Sequence, residues 1–351
     1  MDEFGLGSFS TSSPFGVPRN PYDSERSCGG PTGGAAAAAA SIEGHIALGS
    51  GPSLSGAASF CGVIGLSPGF GRVSRHGLME SSSSLDRVGL FSRQVEPLAA
   101  AYALIAGPDP RDPFTLTQSQ GEMREPRSAL IVKESLEGLS AEASLAFQEA
   151  ADRLRSLGLK VEEGEAPEFS LASSAQHMLG CIEASTALAR YCGLRYGVQS
   201  EEFNEHYDDY FTRIRTEHLG REAKKRIMTG TYARTLGAPR RLREKALYAR
   251  EMVIDRHLRL FESHDLLLTP ATVGPAPRLE EAEGISPLEA ERLSAPGALA
   301  GLPQLSLPCG MLDGMPLGIQ LTSPYGQEGM MLELAQRWEE SSPAPRPEVK
   351  P

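Results

Sequence analysis

The 351-residue chain carries 34 Lys and Arg against 45 Asp and Glu, a net charge of −11, with 40 % hydrophobic and 23 % charged residues. These are globular proportions that exclude a chain disordered throughout, and the negative balance gives no general attraction to nucleic acid, although it leaves room for a local basic patch. No apolar run is long enough to span a bilayer, the opening "MDEFGLGSFS" lacks the basic patch and apolar core of a signal peptide, and the five cysteines are scattered without a CxxC pair. The expected setting is the cytoplasm, with reduced thiols and neither a disulfide framework nor a zinc site.

Residues 1–60 are rich in Gly, Ser, Pro and Ala, as a tight-turn region held by neighbours or a disordered lead would be. Six alanines at Ala35–Ala40 follow Gly33 and Gly34, so a helix begins near Ala35, slim enough to run deep inside a packed structure. "GRVSRHGL" and "SSLDRVGLFSR" read as short turn-rich pieces, and "VEPLAAAYALIAG" as an apolar helix ending at Gly107. "SALIVKE" is a buried strand. A helix follows with Ser140 as N-cap, Ala143, Phe147, Ala150, Ala151, Leu154 and Leu157 on one face, and Gly158 at its end. With the strand "LKVEE" after it, this is a β-α-β unit whose strands are expected to be parallel. Helical stretches cover roughly 174–191 and 239–261, then "DLLLTP", "LPQLSLPCG" and "MPLGIQLTSP" give three strands, 327–340 a closing helix and 341–351 a disordered proline-rich tail. The expectation is an α/β chain with one domain over 1–340.

The glycine clusters "CGGPTGG" and "ALGSGPSLSG" are where chemistry is sought. A phosphate-binding loop fails, because no GK[ST] follows and no strand with a later acidic partner frames a GxGxxG. Glycine turns can also offer backbone N–H groups to an oxyanion beside a serine nucleophile, although Gly/Ser segments are more often plain turns.

The order of the pieces decides between these. "GGPTGGAAAAAA", "ALGS", "ASFCGVIGLSPGFGRVSRHGL", "SSLDRVGLFSR", "KKRIMTGTYA", "LLLTPAT" and "LAGLPQLSLPCGMLDGMPLGIQ" together resemble the amidase signature family, and within it the glutamine-hydrolysing chains of tRNA-dependent amidotransferases. The resemblance covers nearly everything but the tail. It implies a mixed central sheet wrapped by helices, and a serine that attacks the side-chain amide of glutamine. The ammonia released serves a partner chain that uses ATP and Mg to amidate Glu-tRNA(Gln) or Asp-tRNA(Asn). It implies no cofactor or metal on this chain, the B and C subunits as partners in a heterotrimer, and contact with the mischarged tRNA through that complex.

Carried over by position, the nucleophile is Ser53, with Ser50 and Ser55 as nearby alternatives, and Ser50 and Gly51 belong to the oxyanion-hole loop. The family's cis-serine falls on Thr32, implying a cis Pro31–Thr32 bond. The family's lysine lies upstream of "MDEF", whereas the first lysine here is Lys133, so the domain is expected to be incomplete at its N-terminus. Pro52 before Ser53 has no N–H to donate. Arg226 matches an arginine that holds the glutamine α-carboxylate, or else is a solvated helix charge, and Glu291 falls near the acid for the α-amino group. The family's tyrosine corresponds to Gln176 or His177. The resemblance leaves three functions in play: glutamine hydrolysis within an amidotransferase, catalytically silent assembly with its partners, and stand-alone cleavage of another small amide.

The remaining candidates read as structural. His76, His218, His257 and His264 lack metal-ligand spacing. Asp86 and Arg93 hold loop geometry, Leu302, Leu305 and Leu307 are core, and Tyr207 and Tyr210 lie on an exposed acidic helix face.

Overall fold

Strands with both faces covered need apolar residues at every position rather than at alternate ones, and most of this sheet is written that way. In the computed structural model, which describes residues 1–116, 124–199, 206–235, 240–341 and 347, the strands are β1 (Ala47–Gly51), β2 (Ile64–Ser67), β3 (Arg87–Ser92), β4 (Ser128–Val132), β5 (Lys160–Gly164), β6 (Leu266–Pro270), β7 (Gln304–Leu312) and β8 (Met315–Thr322). They form one eight-stranded sheet in the order β1-β3-β2-β7-β8-β6-β4-β5. β4 pairs in parallel with β5 and β6, and the other pairings are antiparallel, so the sheet is mixed. Asp313 and Gly314 turn β7 into β8 with φ of 51° and 75°, a two-residue hairpin in which both residues must be left-handed.

The helices are α1 (Gly33–Ser41), α2 (Ser55–Phe60), α3 (Val95–Ile105), α4 (Ala141–Ser156), α5 (Ala172–Ala187), α6 (Tyr207–His218), α7 (Arg221–Arg234), α8 (Arg240–Phe261), α9 (Leu279–Ala282), α10 (Pro287–Ala290), α11 (Ala295–Leu299) and α12 (Glu328–Ser341). The expected β-α-β unit is present as β4-α4-β5. The Ser140 hydroxyl accepts from the Ala143 N–H at 3.1 Å, and Gly158 turns the chain out at φ 95°. α3, α4 and α12 share one core with the sheet, centred on Leu66, Leu98, Leu154, Ile319 and Met331. α5, α8 and α11 build a second against Leu130 and Leu267. The alanine helix α1 does run deep: Ala36, Ala39 and Ala40 are buried beside α2.

Two sequence expectations need correction. The end of "SSLDRVGLFSR" is not a turn but β3, paired on both sides; its charged Arg87 and its Gly89, whose added Cβ would lie 2.4 Å from the Leu66 carbonyl oxygen, disguise a buried strand. Tyr210 is not on an exposed face: it is 2 % exposed and donates to the Gly193 carbonyl at 2.8 Å, whereas Tyr207 is exposed. Pro239 and residues 342–346 and 348–351 of the expected tail lie outside the described residues.

α7 reaches its place through one glycine. A Cβ on Gly230 would sit 1.9 Å from the Cys181 carbonyl oxygen of α5, so only a bare backbone lets the two helices approach. Gly230→Ala is expected to force the pair apart and destabilise by about 1–3 kcal/mol despite the gain in helix propensity. Urea unfolding checks this; an unchanged midpoint would contradict the contact.

Candidate functional site

The N-terminal segment works as a staple. Asp2, 2 % exposed, accepts from the Ser10 and Ser12 N–H groups at 3.0 and 2.8 Å and from the Ser12 hydroxyl at 2.8 Å. Burial raises its pKa against those hydrogen bonds. The Asp2 N–H donates to the Pro31 carbonyl at 2.9 Å, and Ser10 Oγ donates to the Gly29 carbonyl at 2.7 Å while accepting from the Gly33 N–H at 3.0 Å. The first glycine loop is thereby fixed from below, and residues 1–60 are held by neighbours.

The second loop lies against the first. A Cβ on Gly51 would meet the Pro31 ring at 3.0 Å, and one on Gly29 would meet the α2 backbone at 2.8 Å, so only glycines allow this approach. The cis peptide bond of the glycine loop is Gly30–Pro31, not Pro31–Thr32 as expected. Pro31 lines the cavity between the loops, and Thr32 does not. The Thr32 hydroxyl is buried with no hydrogen-bond partner, turned toward β1, where a Cβ on Gly49 would lie 2.8 Å from it.

Ser53 does line that cavity, half-buried. Its Oγ donates to Ser55 Oγ at 3.2 Å and accepts from the Ser55 N–H at 3.3 Å. Neither partner is a base. The Leu54 N–H is engaged by Ser67 Oγ at 3.0 Å, and Pro52 has no N–H, so two amides flanking the serine do not serve an oxyanion. Ser50 and Gly51, assigned from sequence to the oxyanion-hole loop, are residues of β1 paired with Val88 and Arg87 and do not line the cavity. Ser55, the other alternative, is buried at the start of α2.

The cavity has an empty volume of about 1180 Å³ including its solvent-open mouth. Ser8, Gln176, His177, Arg226 and Glu291 form a polar region of its wall. Glu291 accepts from Ser8 Oγ at 2.8 Å and from Gln176 Nε2 at 3.0 Å, one donor on each carboxylate oxygen. Arg226, 8 % exposed, is a buried charge rather than a solvated one, and its Nε donates to Glu222 at 3.0 Å. Burial alone would lower its pKa, but Glu291, Cys181 and Glu222 outweigh that and raise it, so the guanidinium stays charged. His177 is pushed the other way, by burial and then by Arg226, and is neutral at pH 7. Its Nε2 faces Cys181 Sγ at 3.6 Å, and its Nδ1 is buried without a partner. Asp86 also lines the cavity and fixes its own loop, accepting from the Ser81 and Ser82 N–H groups at 2.8 Å each; burial raises its pKa.

The structure thus brings Ser53, Arg226 and Glu291 to one cavity and leaves Thr32, Ser50 and Gly51 outside its lining. No lysine lines it. Among the described residues no group of three His, Cys, Asp or Glu could hold a metal ion, and no helix is long and apolar enough to cross a membrane. Nothing local in the sequence singles out Ser8 or Arg87. Ser8 stood only inside the opening "MDEFGLGS", and Arg87, rather than Arg93, is the arginine that grips the serine loop, donating to the Pro52 carbonyl at 2.8 Å.

Comparison with known proteins agrees with this architecture. The amidase family model matches residues 1–332. The chain is 37 % identical over 355 residues to the A subunit of the glutamyl-tRNA(Gln) amidotransferase of Clostridium botulinum strain Eklund 17B, covering 97 % of this chain and 73 % of that relative. It is 38 % identical over 364 residues to the corresponding protein of Synechococcus sp. strain RCC307, covering 99 % and 75 %. Among solved structures, the A subunit of the Thermotoga maritima glutamyl-tRNA(Gln) amidotransferase superposes with a TM-score of 0.80 at 29 % identity, over all of this chain and 75 % of that one. With the family model matched over most of its length, relatives above 30 % identity covered to nearly three quarters and the same overall fold in a solved structure, the chain belongs to the amidase signature family.

Proposed function

We propose that the chain is the glutamine-hydrolysing component of a tRNA-dependent amidotransferase, and that it takes L-glutamine into this cavity and cleaves the side-chain amide at Ser53. Ser53 Oγ adds to the amide carbon while its proton passes to the amide nitrogen, the C–N bond breaks, ammonia departs, and water then splits the acyl-serine into glutamate and the restored serine hydroxyl. The ammonia would serve the B and C subunits, where ATP and Mg activate a mischarged tRNA. The observation that carries this reading is the convergence of Ser53, Arg226 and Glu291, from widely separated parts of the chain, on a single cavity. A buried guanidinium suits a carboxylate, and a carboxylate held by two neutral donors suits an ammonium.

The test is ammonia release from glutamine by the chain alone and with the B and C subunits. Ser53→Ala is expected to abolish it, and Arg226→Met to raise KM by about 100-fold, as removal of a buried charge from its partner does. A second reading is favoured by the ring of Pro31 at the cavity wall, the sealed Thr32 hydroxyl and a Ser53 hydroxyl whose partner among the described residues is another serine. In that reading the chain binds the amide without turning it over. Glutamine binding by calorimetry with no ammonia released in any assembly would establish it in place of the first. Cleavage of simple alkyl amides without partners would point instead to a stand-alone amidase.

A further inference from the structure

We propose that the outer face of α7 and of the first half of α8 docks RNA, with arginines and lysines on the phosphates and two tyrosines against unpaired bases. This rests on charge and exposure at that surface and not on the cavity, so RNA binding and glutamine hydrolysis stand or fall separately.

The chain as a whole is negative, with 34 Lys and Arg against 45 Asp and Glu, but the charge is unevenly spread: residues 221–250 hold ten of those cations and only two of the acids. Some of the ten serve the fold. Arg226 is buried beside Glu222, Lys224 Nζ donates to the Thr216 carbonyl at 2.6 Å, and Arg250 Nη1 donates to Ser84 Oγ at 3.3 Å. Arg221, Lys225, Arg234, Arg241, Arg243 and Lys245 are exposed, and no ion pair among the described residues engages them.

Helical spacing gathers them. On α7, Arg221, Lys225, Met228 and Tyr232 follow one another at four, three and four residues and form one outward stripe, while Ala223, Gly230 and Ala233 are buried. On α8, Arg241, Lys245 and Tyr248 form a second stripe, opposite Ala246 and Val253 in the core built with α5. The end of α7 and the start of α8 lie over the same stretch of α5. Gly230 abuts Cys181, Arg234 Nη1 donates to Thr186 Oγ1 at 3.0 Å, and Ala246 shares a core with Leu179. The two helices also touch each other, which sets their stripes on neighbouring surfaces.

Tyr232 and Tyr248 are 62 % and 70 % exposed, within the cationic rows rather than beside them. Guanidinium forks match phosphate oxygens, and exposed rings stack on the faces of unpaired bases. An acidic protein would engage the cations but gives the rings no flat partner, and a DNA duplex keeps its bases inside. The arrangement therefore favours single-stranded or looped RNA.

The experiment measures binding of the full chain to a labelled 20-nucleotide single-stranded RNA by fluorescence anisotropy across a salt series, with polyglutamate and duplex DNA as competitors. For the wild type, log Kd is expected to rise with log salt at a slope of about 4, as six contacts to a single strand give. Replacing Arg221, Lys225, Arg241 and Lys245 together by glutamine should lower that slope to about 1 and weaken binding by about 100-fold at about 0.1 M salt. Tyr232→Ala with Tyr248→Ala should weaken it by about 10-fold and leave the slope unchanged. All these side chains are exposed, and equal urea midpoints would show that the variants are folded. A wild type that binds no RNA at about 0.05 M salt would overturn the proposal, and so would a quadruple variant that binds like the wild type. Displacement by polyglutamate as efficient as by unlabelled RNA would assign the surface to an acidic protein instead, and equal competition by duplex DNA would show that the tyrosines read no bases.

Discussion

Arg87→Met is expected to destabilise the fold by about 3–5 kcal/mol, the cost of leaving several buried neutral acceptors without the charged donor that satisfies them. The side chain is 3 % exposed and makes four donations: Nε to the Pro52 carbonyl at 2.8 Å, NH1 to the Pro68 and Leu302 carbonyls at 3.0 and 2.6 Å, and NH2 to Gln304 Oε1 at 3.3 Å. None of these partners is a carboxylate. The charge is balanced by carbonyl dipoles, and burial pulls the pKa down to about 10, only partly opposed by Glu328. The group stays charged at neutral pH. Methionine fills much of the volume but strands four acceptors, which is why the expected loss exceeds that of an ordinary surface substitution. Lysine keeps the charge but brings donors from a single atom and cannot span the fork, so Arg87→Lys should recover only part of the loss. The same substitution frees the Pro52 carbonyl and with it the turn that presents Ser53. Urea unfolding gives the first quantity, and the reaction rate of Ser53 with a serine-directed fluorophosphonate gives the second. An Arg87→Met chain with the same unfolding free energy as the wild type would show that the network is not what holds the loop.

How far the sequence could be read depends on how local the determining contacts are. α4 was legible because Ser140, the helical spacing of Ala143, Phe147, Ala150 and Leu154, and Gly158 all lie within one short segment. β4, β6, β7 and β8 were legible as uninterrupted apolar runs. β3 was not, because Arg87 and Gly89 look like turn residues until their neighbours are known. At the site, matching by residue type misleads: Thr32 is the hydroxyl of "GGPTGG", but the backbone presents Pro31 to the cavity and turns Thr32 away. Gln176 and His177 could not be told apart by sequence, since neighbours on a helix differ by about 100° in direction and only a partner from elsewhere decides which matters. That partner, Glu291, is 115 residues away from Gln176 and 283 from Ser8. The β4–β8 part of the sheet could therefore be read from local pattern, while β1–β3 and the polar end of the cavity depend on contacts that exist only after folding.

His257 makes the second large expected effect, on the acid side of neutrality. It is 1 % exposed, stacked on Phe169 with ring centroids 4.4 Å apart, and its Nδ1 lies 2.8 Å from the Val253 carbonyl, so Nδ1 must carry the proton that is donated. Burial pushes its pKa down to about 4, partly opposed by that backbone hydrogen bond. The unfolded chain takes up a proton at the ordinary histidine value, about 6.5, while the native chain resists until about 4. Between those values the unfolded state binds more protons, so stability falls as the pH falls. The contribution is negligible at pH 7, about 2 kcal/mol of loss at pH 5 and about 3 kcal/mol at pH 4. Asp2 and Asp86 act in the opposite direction, because burial raises their folded-state pKa values and the native chain gains from their protonation in acid. The slope of the wild type alone would mix these signs. His257→Gln removes the titration, keeps a donor for the Val253 carbonyl, and leaves both carboxylates as they are. Subtracting the unfolding free energies of the two chains at about pH 7 and pH 5 isolates the imidazole, and the wild type should lose about 2 kcal/mol more than the variant over that interval. Parallel pH profiles would mean that His257 takes its proton without unfolding, and that the stacked site against Phe169 admits water.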